Sequence, residues 1–379
     1  MNKKRFTLIK AVLGGMIIAS IIPPMIYWGW GRAYAASTSA ALHSVGEVAQ
    51  KLTGAMNNRR ETITFTYEGK TTGLKSKLQS ALDQAMESDP YLYYIVDSYG
   101  YSYRGSVSSA NVTVQVKYRE SLAQTAVVNE KVKAVLKKII TPGMNNHEKV
   151  RVIHDWVVLN LKYDKSYRKY TAFEAIQSGS AVCQGYSLLT YKLLKEAGIT
   201  NTIVEGTARQ KGGVRESHAW NLVLLDGRWY HLDTTWDDPT PDQVGAVSTS
   251  YYLRTDAQMR VDHNWTKFYP AASIGYHQTL AELVKLGGQK VAVYQKLQKE
   301  LDYSLYAEDQ VIHSAAELSL LANKGIASGK KSLLFRYRGS ERMLENDLQE
   351  LYKLGLDQLS YSSSRFDNTG DLKVYVTWK

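Results

Sequence analysis

The stretch Ser217-His-Ala-Trp-Asn-Leu-Val-Leu-Leu-Asp-Gly-Arg-Trp-Tyr-His-Leu-Asp-Thr-Thr235 constrains this chain more than any other. Asp226-Gly227 separates two alternating runs, which is the mark of a two-residue β-hairpin. Such a loop fixes register, so Leu225 opposes Arg228, Trp220 opposes Asp233 and His218 opposes Thr235. Because side chains alternate along a strand, His218, Trp220, Leu222 and Leu224 share a face with Trp229, His231, Asp233 and Thr235. His218 and Asp233 become diagonal neighbours with Cα atoms roughly 7–8 Å apart. A carboxylate there accepts a hydrogen bond from one imidazole nitrogen and leaves the other for a nucleophile. A one-residue bulge would turn Asp233 to the opposite face.

The nucleophile that fits is Cys183, the single cysteine of 379 residues. A small-residue loop, Ser178 to Ala181, delivers it to the start of a helical pattern. Tyr186, Leu189, Leu193 and Ala197 form one apolar stripe, and Gly198 marks the stop. The thiol then sits in the first turn, where free N–H groups and the helix dipole favour an anion and lower a thiol's pKa. Gln184 adjoins it and Trp220 lies between base and carboxylate, so both are candidate substrate contacts. The plain alternative, a buried structural thiol, loses ground once a histidine and a carboxylate can be placed beside the sulfur.

Outside those stretches the chain supplies little further chemistry. Asn146 to Asp164 reads as a helix with Val150, Ile153, Val157 and Leu161 on one side. His154 and Asp155 are adjacent on it, and adjacent helical positions do not face each other, so both read as structural. His231 reads as core or rim, and Trp229 as core. Asp237-Asp-Pro-Thr-Pro-Asp242 lacks the alternating ligands and central glycine of a calcium loop and reads as a turn. Thr202 to Thr207 reads as a strand, Gly212-Gly213 as a loop before His218, and Tyr251 to Ala257 as a return to the core. Ala281 to Leu301 reads as helical, with a weak point at Gly287-Gly288. No cofactor is expected, and no metal; a zinc site on Cys183, His218 and Asp233 is a minor rival.

The two ends of the chain resemble each other. Leu42 to Met56 reads as a helix, Glu61 to Tyr67 as a strand, Leu74 to Met86 as an amphipathic helix, Tyr91 to Tyr103 as extended, and Asn111 to Tyr118 as a strand. Leu42-His-Ser-Val-Gly-Glu47 matches Ile312-His-Ser-Ala-Ala-Glu317, and Phe65-Thr-Tyr-Glu-Gly69 matches Phe335-Arg-Tyr-Arg-Gly339, at one offset of 270. Leu74 and Leu78 meet Leu344 and Leu348 at that offset. The expectation is a duplicated small α/β module flanking the centre, with His43 and His313 at cap or core positions. Two copies are too few for a solenoid.

Lys3, Lys4, Arg5 and Lys10 head an apolar run from Ala11 to Trp30, followed by the small-x-small site Ala33-Tyr-Ala35. This reads as an export signal, with an uncleaved membrane anchor as the rival. Either places the bulk of the chain outside the cytoplasm, secreted or at the cell surface. A lone thiol there makes no internal disulfide, so core packing must hold the fold. Of the formal charge of +11, residues 1–35 carry five basic side chains and no acidic ones, leaving +6 for the rest. That mild excess suits an anionic cell envelope. The absence of a basic stripe interleaved with aromatics argues against nucleic acid.

Three blocks in order carry a family resemblance: Gly179-Ser-Ala-Val-Cys-Gln-Gly-Tyr186 before a helix, His218-Ala-Trp-Asn221, and Gly227-Arg-Trp-Tyr-His-Leu-Asp-Thr-Thr-Trp-Asp-Asp-Pro239. Together they resemble the transglutaminase-like core, in the branch of the bacterial and fungal kyphoscoliosis-peptidase and cytokinesis-type proteins. Val152-Ile-His-Asp-Trp-Val-Val-Leu-Asn-Leu-Lys-Tyr-Asp164 is similar to that group's leading helix. The resemblance covers roughly residues 145–260. It implies an α+β chain with a papain-like centre, a cysteine helix packed on an antiparallel sheet. It also implies Cys183 as nucleophile, His218 as base and Asp233 as orienter, acting on protein or peptide amides as peptidase or transamidase. The expected layout is 1–35 signal or anchor, 38–120 first module, 125–270 catalytic core, 275–305 helical connector and 308–379 second module. The competing reading is a catalytically silent surface scaffold that binds cell-wall polymer or protein.

Overall fold

The computed structural model describes residues 41–209, 213–239, 245–367 and 369–379. The segment 1–35 that reads as an export signal or anchor, Gly212, and residues 240–242 of the Asp237–Asp242 turn lie outside the described residues. No helix among the described residues is long and apolar enough to cross a membrane. The chain forms two compact units. One runs up to Ala208 and adds Gly213–Leu222 and Asp233–Ser248; the other is Arg209–Gly212, Val223–Leu232 and Thr249–Lys379. These borders divide the Ser217–Thr235 stretch and put residues 41–118 in one unit with the cysteine helix.

In the first unit, strand Ser109–Tyr118 lies between Thr62–Glu68 and Val96–Gly105, all antiparallel. Phe65 pairs with Val112 and Ile63 with Val114. Their side chains are buried together with Leu52 and Met56 of helix Val45–Asn57 and Leu78 and Leu82 of helix Leu74–Glu87. The strands bury residues at period 2 and the helices at period 3.6. The stretch from Tyr91 to Tyr103, expected to be extended throughout, begins instead as a helix, Pro90–Ile95. The reason is local: Asp89 caps it by accepting from the Tyr91 N–H, and proline is well placed in a first turn.

The helix expected from Asn146 to Asp164 starts as foreseen, on a capping box of Asn145 and Glu148, but ends at Asn160. Beyond it, Lys162–Tyr163 pairs in parallel with Ser180–Ala181. The small-residue loop before Cys183 is thus partly a strand, and its last residue leads into helix Cys183–Glu196. That helix is buried nearly all round from Cys183 to Leu194, where a single stripe was expected. It stops at Ala197, with Gly198 at φ +79°.

In the second unit, Gly287-Gly288 (φ +80° and +97°) separates helix Tyr276–Leu286 from helix Val291–Glu300, so the expected single helix is two. A four-stranded sheet follows in the order Val311–Ile312, Ser332–Tyr337, Leu372–Thr377, Ser360–Arg365. Leu318, Phe335, Leu344, Leu348, Val374 and Val376 build its core.

Details recur in the two sheets at the offset seen in the sequence. Ser44 caps a helix through the Glu47 N–H, and Ser314 does so through the Glu317 N–H. The His43 N–H donates to Glu47 Oε2 at 2.8 Å, and the His313 N–H to Glu317 Oε2 at 2.6 Å. Leu42 bridges Tyr67 in parallel, as Ile312 does Tyr337. Both histidines sit just before a helix cap.

Candidate active site

Asp226 and Gly227 both adopt positive φ, +48° and +77°, the conformation a two-residue primed turn requires. Strand Glu216–Leu225 therefore returns as Arg228–Leu232. The return strand ends one residue before Asp233, so the ladder expected to position Asp233 does not extend to it. A turn takes over. Asp233 Oδ1 accepts from the N–H groups of Thr235 (3.0 Å) and Trp236 (3.2 Å). Its Oδ2 lies 2.6 Å from His218 Nε2. A carboxylate only accepts, so Nε2 carries the hydrogen and the other ring nitrogen stays available, with Cys183 near enough to help raise the ring's pKa. Cys183, His218 and Asp233 thus come together in one line, with His218 bonded to Asp233.

Each member is held from behind. Cys183 opens its helix after the cap residue Val182, which accepts from the N–H groups of Gly185 and Tyr186. The first-turn N–H groups of Cys183 and Gln184 precede any possible intrahelical partner. The Ser187 hydroxyl lies 2.8 Å from both the Cys183 and the Ala219 carbonyl oxygens, and Asn221 Nδ2 donates to the Ser187 carbonyl at 3.1 Å. Cysteine helix and histidine strand are pinned in register by these contacts. The His218 ring lies 5.7 Å from the Trp220 ring, nearly parallel at 21°, and 5.7 Å from Trp236. Burial alone would depress the imidazole's pKa. The Asp233 charge, its hydrogen bond and that of Cys183 outweigh burial, and the pKa is pushed up to about 10.

The line opens on a narrow cleft of about 40 Å³, lined by Tyr94, Cys183, Gln184, Glu205, Gly206, Ser217, His218 and Ala219. On that measure it holds a few water molecules. Gln184 reaches the cleft, but its amide donates to the Tyr94 carbonyl at 3.0 Å. Trp220 is not among the lining residues; it is 1 % exposed and packs beneath His218. His231 is buried against Asp256 at 2.7 Å, in keeping with a core role.

Several site residues carry no mark in the sequence. Tyr94 and Glu205 belong to distant segments, and Tyr93 donates to Glu205 at 3.1 Å. Tyr163 stands close enough that burial first, and the Cys183 charge second, raise its phenol pKa. His154 and Asp155, set aside because neighbours on a helix diverge, do touch: Nδ1 is 2.8 Å from Asp155 Oδ1. A short carboxylate can turn back along the helix to the preceding ring, and the rule based on backbone spacing does not see this.

Gly185 is fixed by close approach. A Cβ there would stand 2.6 Å from the Ala181 Cβ and 3.2 Å from the Thr171 carbonyl oxygen. Gly185→Ala is expected to destabilise by about 1–3 kcal/mol through overpacking, against alanine's better helix propensity. The denaturant midpoint checks this; a midpoint equal to or above the wild type's would show that the Ser180–Ala181 strand yields.

Cys183 at a helix start, His218 and the buried Asp233 stand together here in the arrangement of a papain-like fold. Residues 133–234 match the family model of the transglutaminase-like superfamily, and the chain carries a domain of that kind there. Kyphoscoliosis peptidase from Mus musculus is 23 % identical over 203 residues, which are 47 % of this chain and 31 % of that protein. The Homo sapiens kyphoscoliosis peptidase matches to the same extent. The chain therefore spans under a third of the length of these relatives. A solved structure of a TGase is 12 % identical, with 46 % of this chain and 51 % of that chain covered and a TM-score of 0.27.

Proposed function

We propose that this protein is an exported acyl-transfer enzyme that cleaves or exchanges protein or peptide amide bonds through Cys183, His218 and Asp233. The observation that carries the reading is the His218–Asp233 bond set beside Cys183, with Cys183 and His218 both lining one cleft. His218 takes the thiol proton, and the thiolate sulfur attacks an amide carbonyl carbon. The tetrahedral oxyanion is met by the first-turn N–H groups of Cys183 and Gln184. The C–N bond then breaks, His218 returns the proton to the leaving amine, and a thioester remains on Cys183. Water or an amine gives a proton to His218, attacks the thioester and frees the sulfur. Asp233 keeps Nε2 protonated and the ring in place throughout.

The small cleft volume favours a single extended side chain or peptide strand over a bulky ring system. The basic, apolar, small-x-small start of the chain supports an extracytoplasmic setting. The shared offset of 270, repeated in caps and parallel bridges, supports an origin of the two flanking modules by duplication.

Incubation with a glutamine-containing protein and a fluorescent primary amine tests the reading, with Cys183→Ala as control. Dye incorporation lost in the variant identifies a transamidase. Fragments without dye, lost in the variant, identify a peptidase. If wild type and Cys183→Ala are alike on a panel of protein substrates, the scaffold reading replaces this one.

A further inference from the structure

His154 is fully buried between two carboxylates. Its Nδ1 lies 2.8 Å from Asp155 Oδ1 and its Nε2 lies 3.0 Å from Asp237 Oδ2. With both carboxyls ionised they only accept, so each ring nitrogen would carry a hydrogen and His154 would be an imidazolium. Arg151 Nε donates to the second Asp155 oxygen at 2.8 Å and balances that side. A buried chain of alternating charge results: Arg151, Asp155, His154, Asp237. Burying it is costly, and hydrophobic residues of similar volume would fill the space at least as well. Its value must lie in what it holds.

Asp237 closes the turn that carries Asp233. Its N–H donates to the Asp233 carbonyl at 3.1 Å. Its Oδ1 accepts from the Ser248 hydroxyl at 3.0 Å, and its carbonyl from the Ser248 N–H at 3.1 Å. The same turn is tied to the cysteine helix by Tyr186, whose hydroxyl donates to Asp238 Oδ2 at 2.5 Å, and by Thr190 and Thr234 at 3.1 Å. Asp233 stands beyond the end of its strand, so these ties replace the ladder in setting its distance to His218.

We propose that His154 is a positioning residue of the Cys183–His218–Asp233 site: its imidazolium clamps Asp237, and Asp237 sets the turn from which Asp233 reaches His218. This rests on the acyl-transfer reading above. The charged groups that face His154 are Asp155 from its own helix and Asp237 from the turn, with Arg151 behind Asp155. Burial works against the charged ring, but the bonds to both carboxylates outweigh it and raise its pKa. Burial would likewise raise Asp155, and the contacts with His154 and Arg151 lower it instead.

The test is the pH profile of iodoacetamide alkylation at Cys183, the chain's one thiol, in wild type, His154→Gln and Asp237→Asn, each shown by circular dichroism to be folded. Wild type should react at about pH 6 more than about tenfold faster than free cysteine. Both variants should lose about tenfold or more there and recover at alkaline pH, where the thiolate forms without an oriented base. A merely structural loss would lower the rate evenly across pH. Folded variants with the wild-type profile overturn the clamp while the acyl-transfer reading stands. A wild-type thiol no faster than free cysteine overturns both. If the variants do not fold, imidazole 15N spectra of the wild type decide. Two protonated nitrogens on His154 at neutral pH support the clamp, and a neutral ring there overturns it.

Discussion

Asp233→Asn is expected to lower amide turnover on the order of 10³–10⁴-fold while the protein stays folded. Asparagine fits the same space, and its carbonyl can still accept from the Thr235 and Trp236 N–H groups. Its NH2 group then faces His218 Nε2 as a donor, which favours the tautomer with the hydrogen on the wrong nitrogen. The charge that pushes His218 up to about 10 is also lost. The sign of the linked pH effect follows. A histidine whose folded pKa lies above its unfolded value stabilises the fold fully below about pH 6.5 and loses that contribution as pH rises. In wild type the loss runs up through about 10. Wild-type Tm should therefore decline more steeply between neutral and alkaline pH than that of Asp233→Asn. A variant within about threefold of wild-type turnover would remove Asp233 from its orienting role.

Trp220→Ala is expected to destabilise the protein by about 3–5 kcal/mol, the range for deleting a buried aromatic ring. The indole is 1 % exposed and underlies the His218 ring. Its loss leaves a cavity under the imidazole, which is then free to tilt away from Asp233. Urea denaturation measures the first effect, and alkylation of Cys183 at about pH 6 measures the second. Trp220→Phe should recover most of the stability. A cost under about 1 kcal/mol for the alanine variant would mean that the strand collapses onto the gap.

The hairpin and the cysteine helix were legible because each is written in a local code. Asp226-Gly227 specifies a primed turn, and the small residues before Cys183 permit the close approach seen at Gly185. Gly287-Gly288 stood out as a weak point in an expected single helix, and the backbone divides there into two. What was not legible depends on contacts between distant segments. A regular ladder was the simplest way to bring Asp233 to His218; the return strand ends early, and a turn held from other helices carries the aspartate instead. The pairing of His154 with Asp237 spans 83 positions, and no periodicity reports it. Tyr94 enters the cleft from a helix that tyrosine-rich composition had suggested was extended.

The solitary thiol has a chemical consequence. Once oxidised to a sulfenic acid, Cys183 finds no second cysteine in the chain to trap it as a disulfide, so recovery depends on a reductant from outside. Without one, the ladder continues to sulfinic and sulfonic acids, which are not reversed in the ordinary way. The burial of Cys183, which is 6 % exposed, therefore doubles as a shield for an atom the molecule has no internal means to repair.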